Sequence, residues 1–247
     1  MRLNTLPQLG GVELWRGASV IDGSPIVYIA TLSSSNRKTG NMIQTWILRQ
    51  DVSPVDAVKT GADESICGNC IHRAQDGQRR SCYVNVGQAP RAIWKSWTEG
   101  KYQKVDPLDF GAFYHTHRSI RLGAYGDPAA VPFQVTDSFM DFKWLTRTGY
   151  THQWEWCDEE WSAYVMASVD NLTQKEEANY MGYRTFRVGG PDDEPTSDEL
   201  LCLAESHNLQ CHDCGLCCGA KKKSKNIFIK AHGSGASNYT VKLKSLN

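Results

Sequence analysis

Short apolar runs alternate with amphipathic stretches along most of this chain. Near the start, "SPIVYIAT" (24–31) and "MIQTWILR" (42–49) are almost continuously apolar and read as strands. The polar "LSSSNRKTGN" between them predicts a hairpin or cap over residues 1–80. From residue 81 the rhythm changes. "CYVNVG" (82–87) reads as a strand, and "QAPRAIWKSWTEGKY" as a helix with Ile93, Trp94 and Trp97 on one face. "DPLDFGAFYHTHR" opens a helix with Asp106 as N-cap and Pro107 in the first turn. "SIRLGAYGD" is the next strand. "VTDSFMDFKWLTRTG" places Phe139, Phe142 and Leu145 on one helical stripe that stops at Gly149. "YTHQWEW" and "AYVMASVD" follow as strands, then a helix from the Asn171 cap to Gly182, then "YRTFRVG", "LLCLAES" and "NIFIKAHG".

Strands alternating with helices imply parallel pairing. About seven such units in a chain of 247 residues predict an α/β fold of (β/α) barrel type, complete or incomplete, over residues 81–247. A doubly wound open sheet is the alternative. The first 80 residues would form an N-terminal β cap carrying the first cysteine knuckle.

Composition excludes some roles. Lys+Arg and Asp+Glu both number 27, so no overall field draws the chain to nucleic acid or a membrane surface. The opening "MRLNTLPQLGGVELW" lacks the apolar core of a signal peptide, and no stretch of about 18 apolar residues suggests a membrane span. A cytoplasmic setting is the expectation. In that compartment, the nine cysteines in CxxC-type spacings read as ligands rather than disulfides.

Those cysteines form two clusters. Cys67, Cys70 and Cys82 lie in "CGNCIHRAQDGQRRSC", and Cys211, Cys214, Cys217 and Cys218 in "CHDCGLCC". Two residues between cysteines let a tight turn aim both sulfurs inward, and Gly68 and Gly215 suit the close backbone approach. Four thiolates would close a structural zinc site. The CxxCxxC rhythm of Cys211, Cys214 and Cys217 instead matches iron–sulfur ligation, as a [4Fe–4S] or larger cluster. Cys157 and Cys202 stand apart and read as core residues. In a closed barrel the first and last strands are neighbours, so the two knuckles would meet at one site.

Function in such a fold gathers at the C-terminal ends of the strands. Those ends supply Asn85, Asp127, His152 to Glu155, Asp170, Arg187, Glu205 and His232. Asp127, Asp170 and His232 are the candidate catalytic residues, with a helix-capping role as the alternative for the two aspartates. Lys221, Lys222 and Lys223 in "AKKKSK" form a solvated loop or a contact for nucleic acid. No P-loop, dinucleotide fingerprint or nucleophile elbow is present.

The combination "CGNC…CYVNVG", "RLGAYGDP", "CGLCCG" and "KAHG", over roughly residues 60 to 235, resembles a cysteine-rich family encoded by phages and plasmids. The resemblance implies iron–sulfur binding by Cys67, Cys70, Cys82, Cys214 and Cys217, and a host-cell cytoplasmic location. A partial barrel with a cluster at its mouth is also similar in outline to radical S-adenosylmethionine enzymes, although their CxxxCxxC spacing is absent. Two functions follow as expectations. One is a cluster-dependent redox or radical enzyme acting on a small molecule or exchanging electrons with a donor. The other is a non-catalytic module, stapled by a cluster or zinc, that binds nucleic acid or a host partner.

Overall fold

The computed structural model describes residues 10–75, 77–220, 224–233 and 235–246, so the lysine run 221–223 lies outside the described residues. The chain is α/β. Its first sheet is built from β1 (Gly11–Ala18), β2 (Pro25–Thr31), β3 (Ile43–Arg49), β4 (Gln103–Lys104), β5 (Ser119–Tyr125) and β6 (Thr146–Thr148). Their spatial order is β4-β1-β2-β3-β5-β6. β1 to β3 form an antiparallel meander, whereas β4, β5 and β6 join in parallel. The second sheet holds β7 (Tyr150–Thr151), β8 (Met166–Val169), β9 (Thr185–Gly189), β10 (Glu199–Leu201) and β11 (Asn226–Lys230). All its ladders are parallel, in the order β10-β11-β9-β8-β7.

One residue, Gly149, separates β6 from β7 and so joins the two sheets along the chain. Its N–H donates to Cys217 O at 3.3 Å and its carbonyl accepts from Met166 N at 3.0 Å. A Cβ there would lie 2.8 Å from Val165 Cγ1 and 3.0 Å from Leu122 Cβ, which is why a glycine occupies the joint. From β3 through β5, β6, β7 and β8 to β9, strand order advances in one direction.

Nine helices accompany the strands among the described residues: α1 (Pro54–Thr60), α2 (Glu64–Cys67), α3 (Ala89–Thr98), α4 (Pro107–Tyr114), α5 (Phe133–Met140), α6 (Leu172–Tyr180), α7 (Leu203–Ser206), α8 (Cys211–Cys214) and α9 (Ala236–Leu246). The central strands are buried on both faces, as the mostly apolar runs of β2 and β3 require, with Gln44 and Thr45 buried among the apolar residues of β3. Phe110 of α4 meets Phe139 of α5 edge-on, with ring centroids 5.5 Å apart. None of the helices is long and apolar enough to cross a membrane.

Several expectations hold. The Asp106 carboxylate accepts from Leu108 N at 2.9 Å and the Asn171 side chain from Gln174 N at 2.8 Å, as helix caps should. Others are corrected. The hairpin of β2 and β3 is no separate cap, because β3 pairs with β5 inside the same sheet. Cys82 does not begin a strand. Residues 82–85 belong to no ladder, and Arg80 Nη1 donates to the carbonyls of Cys82 (3.2 Å) and Val84 (2.7 Å). The helix expected to reach Gly149 ends at Met140. The Trp144 indole donates to Phe139 O at 2.8 Å, and Leu145 N to Arg118 O at 3.0 Å, which turns the chain into β6.

Candidate functional site

The first cysteine turn is built around a glycine. α2 ends at Gly68, whose φ of +56° is left-handed, and Cys70 N then donates to Cys67 O at 3.3 Å. A Cβ on Gly68 would sit 2.2 Å from Gln153 Oε1. Gln153 Nε2 uses that close approach to donate to Cys67 O at 3.0 Å. Arg73 fastens the other side. Its buried guanidinium bonds Asp63 Oδ1 (3.2 Å), Gly68 O (2.8 Å) and Gly61 O (2.9 Å). From α9, the Lys242 amine donates to the carbonyls of Ile71 and Arg73.

The second cysteine segment is held by different partners. Cys202 N donates to Phe228 O at 2.8 Å, at the start of α7. Cys211 and Cys214 bracket the single turn of α8, which closes on Gly215 with φ +60°. Cys211 N and His212 N donate to Lys38 O and Thr39 O, each at 3.0 Å. Cys217 is buried with Met166 and Ile227, and Cys202 packs against the same group. Cys202 therefore packs against a small core cluster, as expected of a core residue, and that cluster brings it beside the second cysteine segment. Cys157 does stand apart, with its sulfur 3.4 Å from Tyr183 Oη. Cys218 is buried, and its carbonyl accepts from Arg147 Nε at 3.3 Å.

Both segments open on one cavity of about 220 Å³, lined by Cys67, Cys70, Cys82, Cys202 and Cys211. Gly126, His152, Ser168, Val188 and His232 also line it, at or just beyond the C-terminal ends of parallel strands. All nine cysteines are free thiols. Burial raises the Cys67 thiol well above its ordinary pKa, with the charges of Cys70, Asp63 and Cys82 adding to the effect. Burial, then Asp170, pushes Cys70 up to about 12. In the second segment burial raises Cys211, the Arg121 guanidinium opposes it, and Cys202 and Cys214 add to it. Burial likewise raises Cys217, which feels Cys202, Cys211 and Cys214. The thiols thus fall into a set of three and a set of four. Cys67, Cys70, Cys82, Cys202, Cys211 and Cys217 would stay protonated near neutrality unless a positive centre displaced the protons.

Sulfurs around a single tetrahedral zinc stand roughly 3.8 Å apart. Among the described residues no three thiols lie within 4.8 Å of one another, so one zinc does not fit the sulfurs as they stand.

The donor atoms that do converge are those of His72, His152 and Asp170, all within 4.8 Å of one another. His72 Nε2 is 3.5 Å from Asp170 Oδ1, and that oxygen also accepts from Tyr239 Oη at 3.0 Å. Burial alone would raise the Asp170 carboxyl, but its contact with His72 and the His152 and His72 charges leave it below its ordinary pKa. His152 Nε2 lies 3.7 Å from Cys70 Sγ.

The other sequence candidates have prior commitments. Asp127 caps the turn at Ala129 N (3.0 Å) and accepts from His152 N (2.7 Å), so it positions His152. His232 stacks on Tyr83 and has Nε2 3.7 Å from Glu205 Oε1. Arg187 is paired with Glu199 at 2.7 Å in the interior. Asn85 accepts from Gly87 N at 3.0 Å in a local turn. Sequence reasoning passed over His72, although it stands two residues after the CxxC and could have been read from "CGNCIH". No protein-family model matches the chain, and no curated protein or solved structure shows significant similarity to it.

Proposed function

We propose that this chain binds iron–sulfur clusters at the mouth of an incomplete (β/α) barrel. The observation that carries the reading is the placement of five free cysteines, from segments far apart in sequence, around one cavity at the C-terminal ends of parallel strands. The one-way advance of strand order supports the barrel. The donor chemistry also fits, with soft sulfurs and three cations, Arg121, Arg80 and Lys242, whose charges act on Cys211, Cys82 and Cys70.

Cys67, Cys70 and Cys82 would hold one cluster, and Cys202, Cys211, Cys214 and Cys217 another. Bound clusters supply one-electron transfer. Three cysteines leave one iron of a cubane without a thiolate, the position open to a substrate or to S-adenosylmethionine. The chain's own residues prepare the place. Gln153 and Arg73 fix the first turn, and Arg121 offsets negative charge while donating to Tyr83 Oη at 2.7 Å.

Protein purified without oxygen should be brown and contain iron and acid-labile sulfide in equal amounts. Cys82→Ser and Cys202→Ser should each lose part of that iron, whereas Cys157→Ser should keep all of it. Colourless protein carrying zinc and no sulfide would overturn the reading. S-adenosylmethionine should alter the paramagnetic resonance of the reduced protein, and an unchanged signal would assign the clusters to electron transfer alone.

A further inference from the structure

We infer that His72, His152 and Asp170 form a separate mononuclear site for a first-row divalent cation, with its open positions facing the cavity. Two imidazoles and one carboxylate are the donor set of non-haem iron(II) centres and of open zinc sites. Each donor comes from a different part of the chain: the first cysteine loop, the end of β7 and the end of β8.

The geometry favours a cation over a simple ion pair. Ligand atoms around an ion at about 2.1 Å stand roughly 3.0 to 3.4 Å apart. The 3.5 Å between His72 Nε2 and Asp170 Oδ1 is long for a hydrogen bond and close to that edge. The third donor lies within 4.8 Å of both, a gap that small side-chain rotations close.

Supporting contacts are in place around all three. The Ser81 hydroxyl is 3.0 Å from His72 Nδ1, and with Nδ1–H donated there, Nε2 carries the lone pair a metal requires. Asp127 holds the His152 backbone, and Tyr239 holds Asp170. His72, His152 and Tyr239 line the cavity, so a small molecule entering it can reach the ion. Cys70, 3.7 Å from His152, lies on the border between this site and the thiols. The inference does not depend on the cysteines holding clusters.

The test uses manganese(II), which carboxylate and imidazole bind and thiolate disfavours. Full-length protein is kept anaerobic, treated briefly with a chelator, desalted, and titrated while loss of the free-ion paramagnetic resonance signal is followed. One manganese should bind per chain. His152→Ala and Asp170→Asn should each weaken it by tenfold or more, and Ser81→Ala by about tenfold through the supporting hydrogen bond. Because Asp170 is buried, His152→Ala, with its fold checked by circular dichroism, keeps the test decisive if Asp170→Asn does not fold. Cys202→Ser should leave manganese affinity unchanged even where iron is lost, which separates this site from the proposed clusters. Absence of manganese binding in the wild type, equal affinity in all variants, or binding that survives His152→Ala but fails in Cys70→Ser would each overturn it.

Discussion

Replacing Gly68 by alanine tests the construction of the first cysteine turn, and Gly61 provides the control. Both glycines have positive φ, +56° and +79°. Alanine costs about 1–2 kcal/mol in the αL conformation of Gly61 and at least as much at Gly68, whose ψ of −134° lies outside αL. Around Gly61 the new methyl meets nothing within 4 Å. At Gly68 it would fall 2.2 Å from Gln153 Oε1 and 2.5 Å from Cδ, so Gln153 must move. Moving it breaks the bonds from Nε2 to Cys67 O (3.0 Å) and Asp127 Oδ2 (3.3 Å) inside the protein. Leaving such buried groups unpaired costs about 1–3 kcal/mol. Gly68→Ala should therefore melt below Gly61→Ala by roughly 3–9 °C, at about 3 °C per kcal/mol for a chain of this size. Anaerobic differential scanning calorimetry of both variants measures the gap. Gln153→Ala in the Gly68→Ala background should cost less than the sum of the single changes, because the two share one contact. Equal melting of the two glycine variants would refute the account of Gln153 as the residue that shapes this turn.

Other outcomes follow from the interior. Arg187→Ala strands the buried Glu199 carboxylate and should cost about 3–5 kcal/mol in chemical denaturation. Burial raises the Glu199 carboxyl, but the Arg187 hydrogen bond and charge together with the Thr196 hydrogen bonds outweigh it and hold the group below its ordinary pKa. Its stabilisation is therefore complete above about pH 4.3 and is lost as pH falls through the lower folded value. The stability gap between wild type and Glu199→Gln should accordingly shrink in acid, and a gap independent of pH would contradict the pairing. Gly149→Ala forces a methyl against Val165 and Leu122 and should cost about 1–3 kcal/mol, read from the urea midpoint.

How much of this the sequence disclosed depends on whether local pattern or distant partners decide each feature. β2 and β3 were legible because strands buried on both faces need mostly apolar runs. The caps at Asp106 and Asn171 were legible because a cap acts within three residues of itself. "CYVNVG" has a strand's alternation, yet Arg80 occupies carbonyls a ladder would use, and Tyr83 is 56% exposed. That competition is invisible in a local window. The stripe of Phe139, Phe142 and Leu145 misled in the same way, since Leu145 is 60% exposed and bonded to Arg118. Cysteine spacing located both thiol segments, but Cys202 joins the second only through tertiary packing. The partnership of His72, His152 and Asp170 bridges about a hundred residues and leaves no spacing signature.

The cavity also constrains when it can exist. Its lining begins at Lys38 and ends at Tyr239, a residue of the last helix. During synthesis the first cysteine turn leaves the ribosome long before the segments that face it. Until α9 arrives, Tyr239 cannot reach Asp170, and Lys242 cannot reach the carbonyls of the first loop. The early thiols lack these partners until the segments from Cys202 to Lys242 have been made. The cavity meets its full lining only once Tyr239 has emerged, and a product truncated before residue 202 would retain the first three thiols without the far side of their enclosure.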